Sequence, residues 1–203
     1  MGLYQRCVLP HLLDWAMRDR HLALYRNRTL NAAEGLVLEI GAGSGLNFPL
    51  YAEGSDHIVA LDPSLPLVRL AARRCGEARI PVSLLRGTAE ILPFAGVAFD
   101  TVVTTWTLCS VADPLAALRE ARRVLKPGGK LLFVEHGLSP APRIAAWQHL
   151  LTPCWKAIAG GCHLDRRIED LIRTAGFRLD RLETGHMPGP KPWTFTYQGS
   201  ALS

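Results

Sequence analysis

The segment Val37-Leu38-Glu39-Ile40-Gly41-Ala42-Gly43-Ser44-Gly45 constrains this chain more than any other. A short apolar run bounded by glycine reads as a buried parallel-sheet strand. The strand ends in an acid and turns through alternating glycines into what the pattern predicts as a helix, beginning over Leu46–Ala52. Glycine permits a tight turn and lets a ligand lie against bare backbone. The unpaired N–H groups of a helix start suit a carboxylate or phosphate. The segment therefore predicts a nucleotide-like ligand at the carboxyl edge of an α/β sheet.

The spacing narrows the ligand. A dinucleotide fingerprint is G-x-G-x-x-G, whereas here the pattern is G-x-G-x-G and Leu46 takes the place of the last fingerprint glycine. No Lys-Ser/Thr pair follows, which excludes a P-loop. Glu39 would repel a pyrophosphate but can hold an ammonium, directly or through water. A ligand with an amino-acid group at one end and adenosine at the other meets both demands, and S-adenosylmethionine is such a ligand. A nicotinamide dehydrogenase is disfavoured by Glu39 and Leu46.

The rest of the chain supplies the sheet. Predicted strands are Leu36–Ile40, His57–Leu61, Val82–Leu85, Phe99–Thr105 and Lys130–Glu135, with helices over Leu67–Ala78 and from Asp113-Pro114 to Leu125. This alternation predicts a parallel, doubly wound sheet. Residues 8–28 read as one amphipathic helix with Leu9, Leu12, Leu13, Ala16 and Met17 on its apolar stripe. Residues 140–160 are an apolar, Trp-containing segment. Arg166–Ala175 reads as a helix closed by Gly176. Phe177–Thr184 and Trp193–Gln198 read as strands that can pair antiparallel across the Pro/Gly-rich turn from Met187 to Pro192.

At 203 residues, 48% of them apolar, the chain suits one domain with a sizeable core. A net charge of +5 needs no nucleic-acid partner. The early arginines Arg6, Arg18, Arg20, Arg26 and Arg28 fit a solvated helix face, with an anionic membrane as the other reading. Cys7, Cys75, Cys109, Cys154 and Cys162 are scattered, and no pair has C-x-x-C spacing. Reduced thiols in a cytoplasm are expected, with no zinc site and no disulfide framework. Neither a signal peptide nor a membrane span is predicted.

LEIGAGSG at 38–45, AEILPF at 89–94 and RVLKPGGKLLFVEH at 123–136 together resemble the class I S-adenosylmethionine-dependent methyltransferases, over about residues 35–200. The last two segments recur in the ubiquinone-biosynthesis type. TLCSV at 107–111, EH at 135–136 and WQHLLTPCWKAIAGGCHL at 147–164 are similar to the methyltransferase-like protein 7 family, whose human members are alkyl thiol methyltransferases. Those members carry an N-terminal membrane anchor, and none is expected here.

The resemblance implies a Rossmann-like seven-stranded sheet, mostly parallel, with an antiparallel last strand and an N-terminal lid helix. It implies a single domain: lid 1–34, cofactor core 35–136, helical insertion and last strands 137–203. Glu39, Gly41 and Gly43 would line the methionine end of S-adenosylmethionine, with Gly45 opening the helix. Asp62 would accept hydrogen bonds from the ribose hydroxyls. Pro63, Ser64, Ala89 and Glu90 would border the adenine. Thr88 stands where the ubiquinone-type pattern has Asp. Thr105 and Trp106 would flank the sulfonium.

His136, after the fifth strand, is the candidate base or hydrogen-bond partner of the acceptor. Trp15, Tyr25, Trp147 and Trp155 would cover an apolar acceptor pocket, with Cys109 a small lining residue. His149, Cys154, Cys162 and His163 match no standard metal-ligand spacing, and no metal is expected. The expected reaction is methyl transfer to a small apolar acceptor, foremost a thiol. The alternatives are a phospholipid amine or quinone precursor, with peripheral membrane contact through the basic first helix, and a non-catalytic cofactor-binding interaction module.

Overall fold

The computed structural model describes residues 3–203, with the side chains of Gln5 and Arg6 outside the described set. Seven strands form one sheet: β1 (Gly35–Ile40), β2 (Ser55–Asp62), β3 (Val82–Arg86), β4 (Phe99–Thr105), β5 (Leu125–His136), β6 (Arg178–His186) and β7 (Phe195–Leu202). Their order is β3-β2-β1-β4-β5-β7-β6. Strands β1 to β5 pair in parallel, and β7 runs antiparallel to both of its neighbours. The antiparallel last strand is the one expected from the sequence.

The helices are α1 (Leu9–Ala16), α2 (Arg20–Leu30), α3 (Leu65–Arg74), α4 (Pro114–Val124), α5 (Pro142–Ile158), α6 (Ile168–Thr174) and α7 (Lys191–Thr194). Alternate strand residues face opposite layers. Leu38, Ile40, Val102, Leu131 and Phe133 pack with Leu118 and Val124 of α4 and Ile168 and Ile172 of α6. Val37, Ile58, Ala60, Val103 and Leu132 pack on the other face with Leu30 of α2 and Ala71 of α3. Each fully buried Val, Leu, Ile or Phe side chain among them contributes about 1.5–3 kcal/mol. At the start of α4, Asp113 accepts hydrogen bonds from the N–H groups of Leu115 and Ala116, and Pro114 needs no partner.

Several sequence expectations shift. Residues 8–28 are not one helix. A π-helical turn at Tyr4–Val8 leads into α1, and the chain breaks before Asp19, whose extended backbone lets its carboxylate cap α2 at His21. No α-helix follows the glycines. Leu46–Ala52 makes only a 3-10 turn at Phe48–Leu50, because Pro49 lacks a donor and Tyr51 is extended. The helix predicted over Leu67–Ala78 is α3 followed by a 3-10 turn at Cys75–Glu77. Trp193 belongs to α7, so the last strand starts at Phe195. The apolar segment 140–160 is α5, with Pro153 inside it.

The N-terminal helices are tied down at several places, of which two bear on the site. Gln198 of β7 donates to the carbonyl of Tyr25 and the hydroxyl of Thr29 on α2, at 2.9 and 2.8 Å. Asp14 of α1 pairs with Arg74 of α3 at 2.8 Å, and Arg74 also donates to the carbonyl of Ser44 in the glycine loop. Burial opposes the Asp14 charge, but hydrogen bonds from Arg74, Ser44 and Arg18 hold its carboxyl down to about 2. No helix among the described residues is long and apolar enough to cross a membrane.

Candidate active site

Strand order reverses between β1 and β4, so a crevice is expected outside their carboxyl ends. Glu39 and Gly41 stand at one lip, Thr105 and Trp106 at the other. Gly41 has φ +73°, and a Cβ there would meet the Thr107 hydroxyl at 2.2 Å, so only glycine fits. Gly43 has φ +56°, and a Cβ there would meet nothing within 4 Å. Gly41 is thus demanded by packing, whereas Gly43 leaves bare backbone facing open space.

Glu39 is 1% exposed. It accepts hydrogen bonds from Tyr51 Oη at 2.8 Å and Asn47 Nδ2 at 2.9 Å, and the same amide donates to Thr105 Oγ1 at 3.0 Å. Burial pushes the Glu39 carboxyl up to about 7, against those hydrogen bonds and the nearby Arg26 charge. Arg26 itself is buried, a correction to the solvated-face reading. It donates to the Met17 carbonyl at 2.9 Å, and its guanidinium carbon lies 5.0 Å from the centre of the Trp106 ring. Burial lowers Arg26 to about 10, so it stays charged near neutrality.

Asp62, at the end of β2, accepts from Gly43 N–H at 2.9 Å and Ser64 N–H at 2.8 Å. Burial raises its pKa against those two bonds. A carboxylate has about four lone-pair sites, so acceptor capacity remains for hydroxyl donors. Pro63 and Ser64 follow directly, and Ala89 is buried across the β2–β3 edge. Thr88 pairs with Ile91 in an isolated bridge. Glu90 is committed elsewhere: it accepts from the N–H groups of Ala112 and Asp113 and so anchors the entry to α4.

The second half of the site centres on Trp106, a non-glycine residue at φ +51° whose buried indole N–H has no partner. Its ring meets that of His136 edge-on at 6.3 Å. Glu135, fully buried, accepts from the N–H groups of Thr107 at 3.1 Å and Cys109 at 3.3 Å and so fixes the loop after β4. Burial raises the Glu135 carboxyl, opposed by those backbone bonds. Cys162 Sγ lies 3.7 Å from His136 Nδ1. Hydrogen bonding to Cys162, with burial, pushes the Cys109 thiol well up, and the same contact lowers Cys162.

Tyr25 and Trp155 pack on this apolar cluster, together with Leu164, Met187 and Trp193. Trp15 and Trp147 do not: they are 76% and 57% exposed and turn outward. They are corrected from pocket lining to surface, because α1 and α5 present those positions to solvent. His149 and His163 pair with Asp165 instead of with a thiol. Asn47 and Tyr51 were not singled out from the sequence, Arg26 was placed on a solvated face, and Glu135 appeared only as a strand end and in the EH pair of the resemblance, without a role. Only Glu135 carried a signal, an acid in the middle of an otherwise apolar strand end.

An order of β3-β2-β1-β4-β5-β7-β6, with a glycine loop after β1 and an acid ending β2, defines a class I S-adenosylmethionine-dependent methyltransferase fold. Residues 38–133 match the methyltransferase domain family. A human relative, thiol S-methyltransferase TMT1B, is 35% identical over 197 residues, covering 94% of this chain and 80% of that protein. Its rat counterpart is 35% identical over 164 residues, covering 79% of this chain and 66%, just under two thirds, of its own. A SAM-dependent methyltransferase from Thermotoga maritima superposes with a TM-score of 0.68 at 23% identity, covering 98% of this chain and 97% of that one. The chain belongs to the S-adenosylmethionine-dependent methyltransferases, in the family that includes these thiol S-methyltransferases.

Proposed function

We propose that this protein methylates the sulfur of a small apolar thiol. The observation that carries the reading is the setting of His136, which ends β5 beside Trp106 in a cluster of Cys109, Cys162, Leu164 and Met187. The human thiol S-methyltransferase aligns across this half as well as across the glycine loop. S-adenosylmethionine supplies an electrophilic methyl group on its sulfonium.

The residues present fit that cofactor. Glu39, once ionised, holds its ammonium, and Asn47 keeps Glu39 in place. Gly43 leaves bare backbone for the amino-acid end, Gly41 packs on Thr107 beside it, and Gly45 closes the turn. Asp62 takes the ribose hydroxyls with its remaining lone pairs. Pro63, Ser64, Thr88 and Ala89 border the adenine. Thr105 and Trp106 sit at the sulfonium. Catalysis then rests on positioning the two sulfurs in line and excluding water. A small thiol ionises near pH 8.5, so it needs modest help near neutrality, and His136 is the side chain that supplies it. Cys109, Tyr25 and Trp155 wall the acceptor side.

Residues 1–34 act as the lid of this single domain. Leu12 and Trp15 on α1 and Trp147, Leu150 and Ile158 on α5 are exposed, and α1 meets the end of α5 where Leu13 approaches Gly160. This apolar face, with Arg18 and Arg20 close in sequence, gives weak contact with an anionic membrane surface from the cytoplasmic side. Flotation with anionic vesicles tests it; protein that stays at the bottom of the gradient refutes the contact.

The acceptor is tested by incubating the protein with labelled methyl donor and a panel of alkyl thiols, aromatic thiols, catechols and amines. Labelled thioethers are expected. Label on oxygen or nitrogen, with thiols untouched, would overturn the thiol reading.

A further inference from the structure

Cys109, His136 and Cys162 come from three separate stretches: the loop after β4, the last residue of β5 and the turn after α5. Their ligand atoms nevertheless all lie within 4.8 Å of one another. Cys162 Sγ and His136 Nδ1 are 3.7 Å apart. A tetrahedral zinc ion, with bonds of about 2.3 Å to sulfur and about 2.0 Å to nitrogen, holds such a pair about 3.6 Å apart. One edge of a metal site is therefore already at length. Side-chain shifts of about 1 Å bring the Cys109–Cys162 edge to the about 3.8 Å, and the Cys109–His136 edge to the about 3.6 Å, that the same bond lengths require.

The frame around these atoms is fixed before any metal arrives. Glu135 holds the N–H of Cys109. The N–H of His163 donates to the carbonyl of Cys109 at 2.7 Å, which ties the Cys162 turn to the Cys109 loop. Arg166 donates to the carbonyl of Leu108. The two cysteines are 1% and 7% exposed. Charges balance locally, since two thiolates neutralise a divalent ion. Buried charge is tolerated when it is compensated in this way. Among the described residues no further Cys, His, Asp or Glu joins the group. Three protein ligands with an open fourth position is the pattern of a catalytic rather than a structural zinc.

We propose that Cys109, His136 and Cys162 bind one zinc ion, whose fourth position takes the sulfur of the acceptor thiol. The second half of this statement rests on the thiol reading above; the metal site does not. The acceptor R–SH gives its proton to solvent as its sulfur joins zinc, since a coordinated thiol is held deprotonated. A lone pair of that sulfur forms the new bond to the methyl carbon while the carbon's bond to the donor sulfonium breaks. A neutral thioether and S-adenosylhomocysteine result, and the thioether, a poorer ligand than thiolate, leaves. His136 then contributes as a ligand through Nδ1, and no separate base is needed. The C-x-x-C rule missed the site because its ligands are 27 and 26 residues apart in sequence.

The test is metal counting on protein purified from zinc-supplemented cells and dialysed, followed by cobalt substitution. One zinc per chain is expected. Cys109→Ser and Cys162→Ser should each weaken zinc binding at least tenfold, while Cys154→Ser, exposed on α5, should not. The cobalt protein should show a thiolate-to-metal charge-transfer band that shifts when a small alkyl thiol is added. No stoichiometric zinc, or zinc kept by the Cys109→Ser/Cys162→Ser double variant, overturns the site. Should the serine variants misfold, alkylation of the wild-type protein decides: zinc must protect Cys109 and Cys162 but not Cys154, and equal labelling refutes the site. Full thiol methylation by zinc-free protein overturns the catalytic role while the thiol reading survives. Zinc bound without any thiol methylation overturns that role together with the thiol reading.

Discussion

The two halves of the crevice are built on different principles. The donor half is one short run of chain, Glu39 to Gly45, backed by Asp62 on the adjacent strand; backbone N–H groups hold Asp62, and the side chains of Asn47 and Tyr51 hold Glu39. The acceptor half is assembled from α2, the loop after β4, the end of β5 and the segment from α5 to Leu164, and its apolar wall is broken by His136, the thiols, Arg26 and the buried Glu135. A contiguous motif recognises a ligand that never changes. A site stitched from distant segments lets acceptor preference vary without disturbing the donor half.

The sharpest way to break this contrast is the pair of loop glycines. Gly41→Ala forces a Cβ into Thr107 at positive φ and should cost about 3 kcal/mol of stability, read as a lower Tm. Gly43→Ala meets no atom and carries only the positive-φ cost of about 1–2 kcal/mol, so its Tm should fall less while S-adenosylhomocysteine affinity drops, read by calorimetry. Equal Tm losses would show that both positions are structural. Asp62→Ala should weaken the same ligand about a hundredfold, the loss of two charge-assisted hydrogen bonds, without changing which acceptors are used.

Glu39 gives a pH signature. Its folded pKa of about 7 lies above the ordinary carboxylate value, so the free protein holds a proton there that the unfolded chain has lost. Stability from this group therefore falls as pH rises from about 4.5 to about 7. Cofactor binding moves the other way, because the ammonium needs the anion: affinity should rise about tenfold between about pH 6 and about pH 8. In Glu39→Gln the rise should flatten; an unchanged slope would assign it to another group.

Smaller effects belong to the lid. Asp14→Asn should lower stability by about 1–2 kcal/mol near neutrality by loosening the tie to Arg74. The Asp14 carboxyl is depressed in the folded state, so its contribution is present above about pH 4 and fades as pH falls toward about 2. The wild-type minus variant Tm difference should shrink accordingly. Trp15→Ala, on an exposed position, should leave cofactor affinity unchanged and Tm within about 0.5 kcal/mol equivalent.

The sheet was legible because the parallel strands contain short runs rich in Val, Leu, Ile and Thr, most of them bounded by Gly, Asp-Pro or Pro-Gly-Gly, and that punctuation acts locally. Asp62 and the glycines were legible for the same reason. Arg26 was not: its partners Glu39 and Trp106 are far away in sequence, and nothing local distinguishes it from Arg18 or Arg28, which lie on the surface. Tyr51 and Asn47 were hidden because the expected helix after the glycines would have pointed them elsewhere. Trp15 and Trp147 misled because aromatic residues carry no mark of which way their helix faces.

The strand order also bears on how the chain comes into being. β6 touches the sheet only through β7, which is made after it and must slide between β6 and β5. During synthesis the first five strands can assemble in turn, while β6 waits without a hydrogen-bonding partner. Gln198, which fastens α2, arrives with that same late strand. The donor half can therefore take shape on the ribosome, whereas the acceptor half closes only once β7 has emerged. A nascent chain stalled before Phe195 should bind S-adenosylhomocysteine weakly and expose Tyr25 and Trp155 to chaperones.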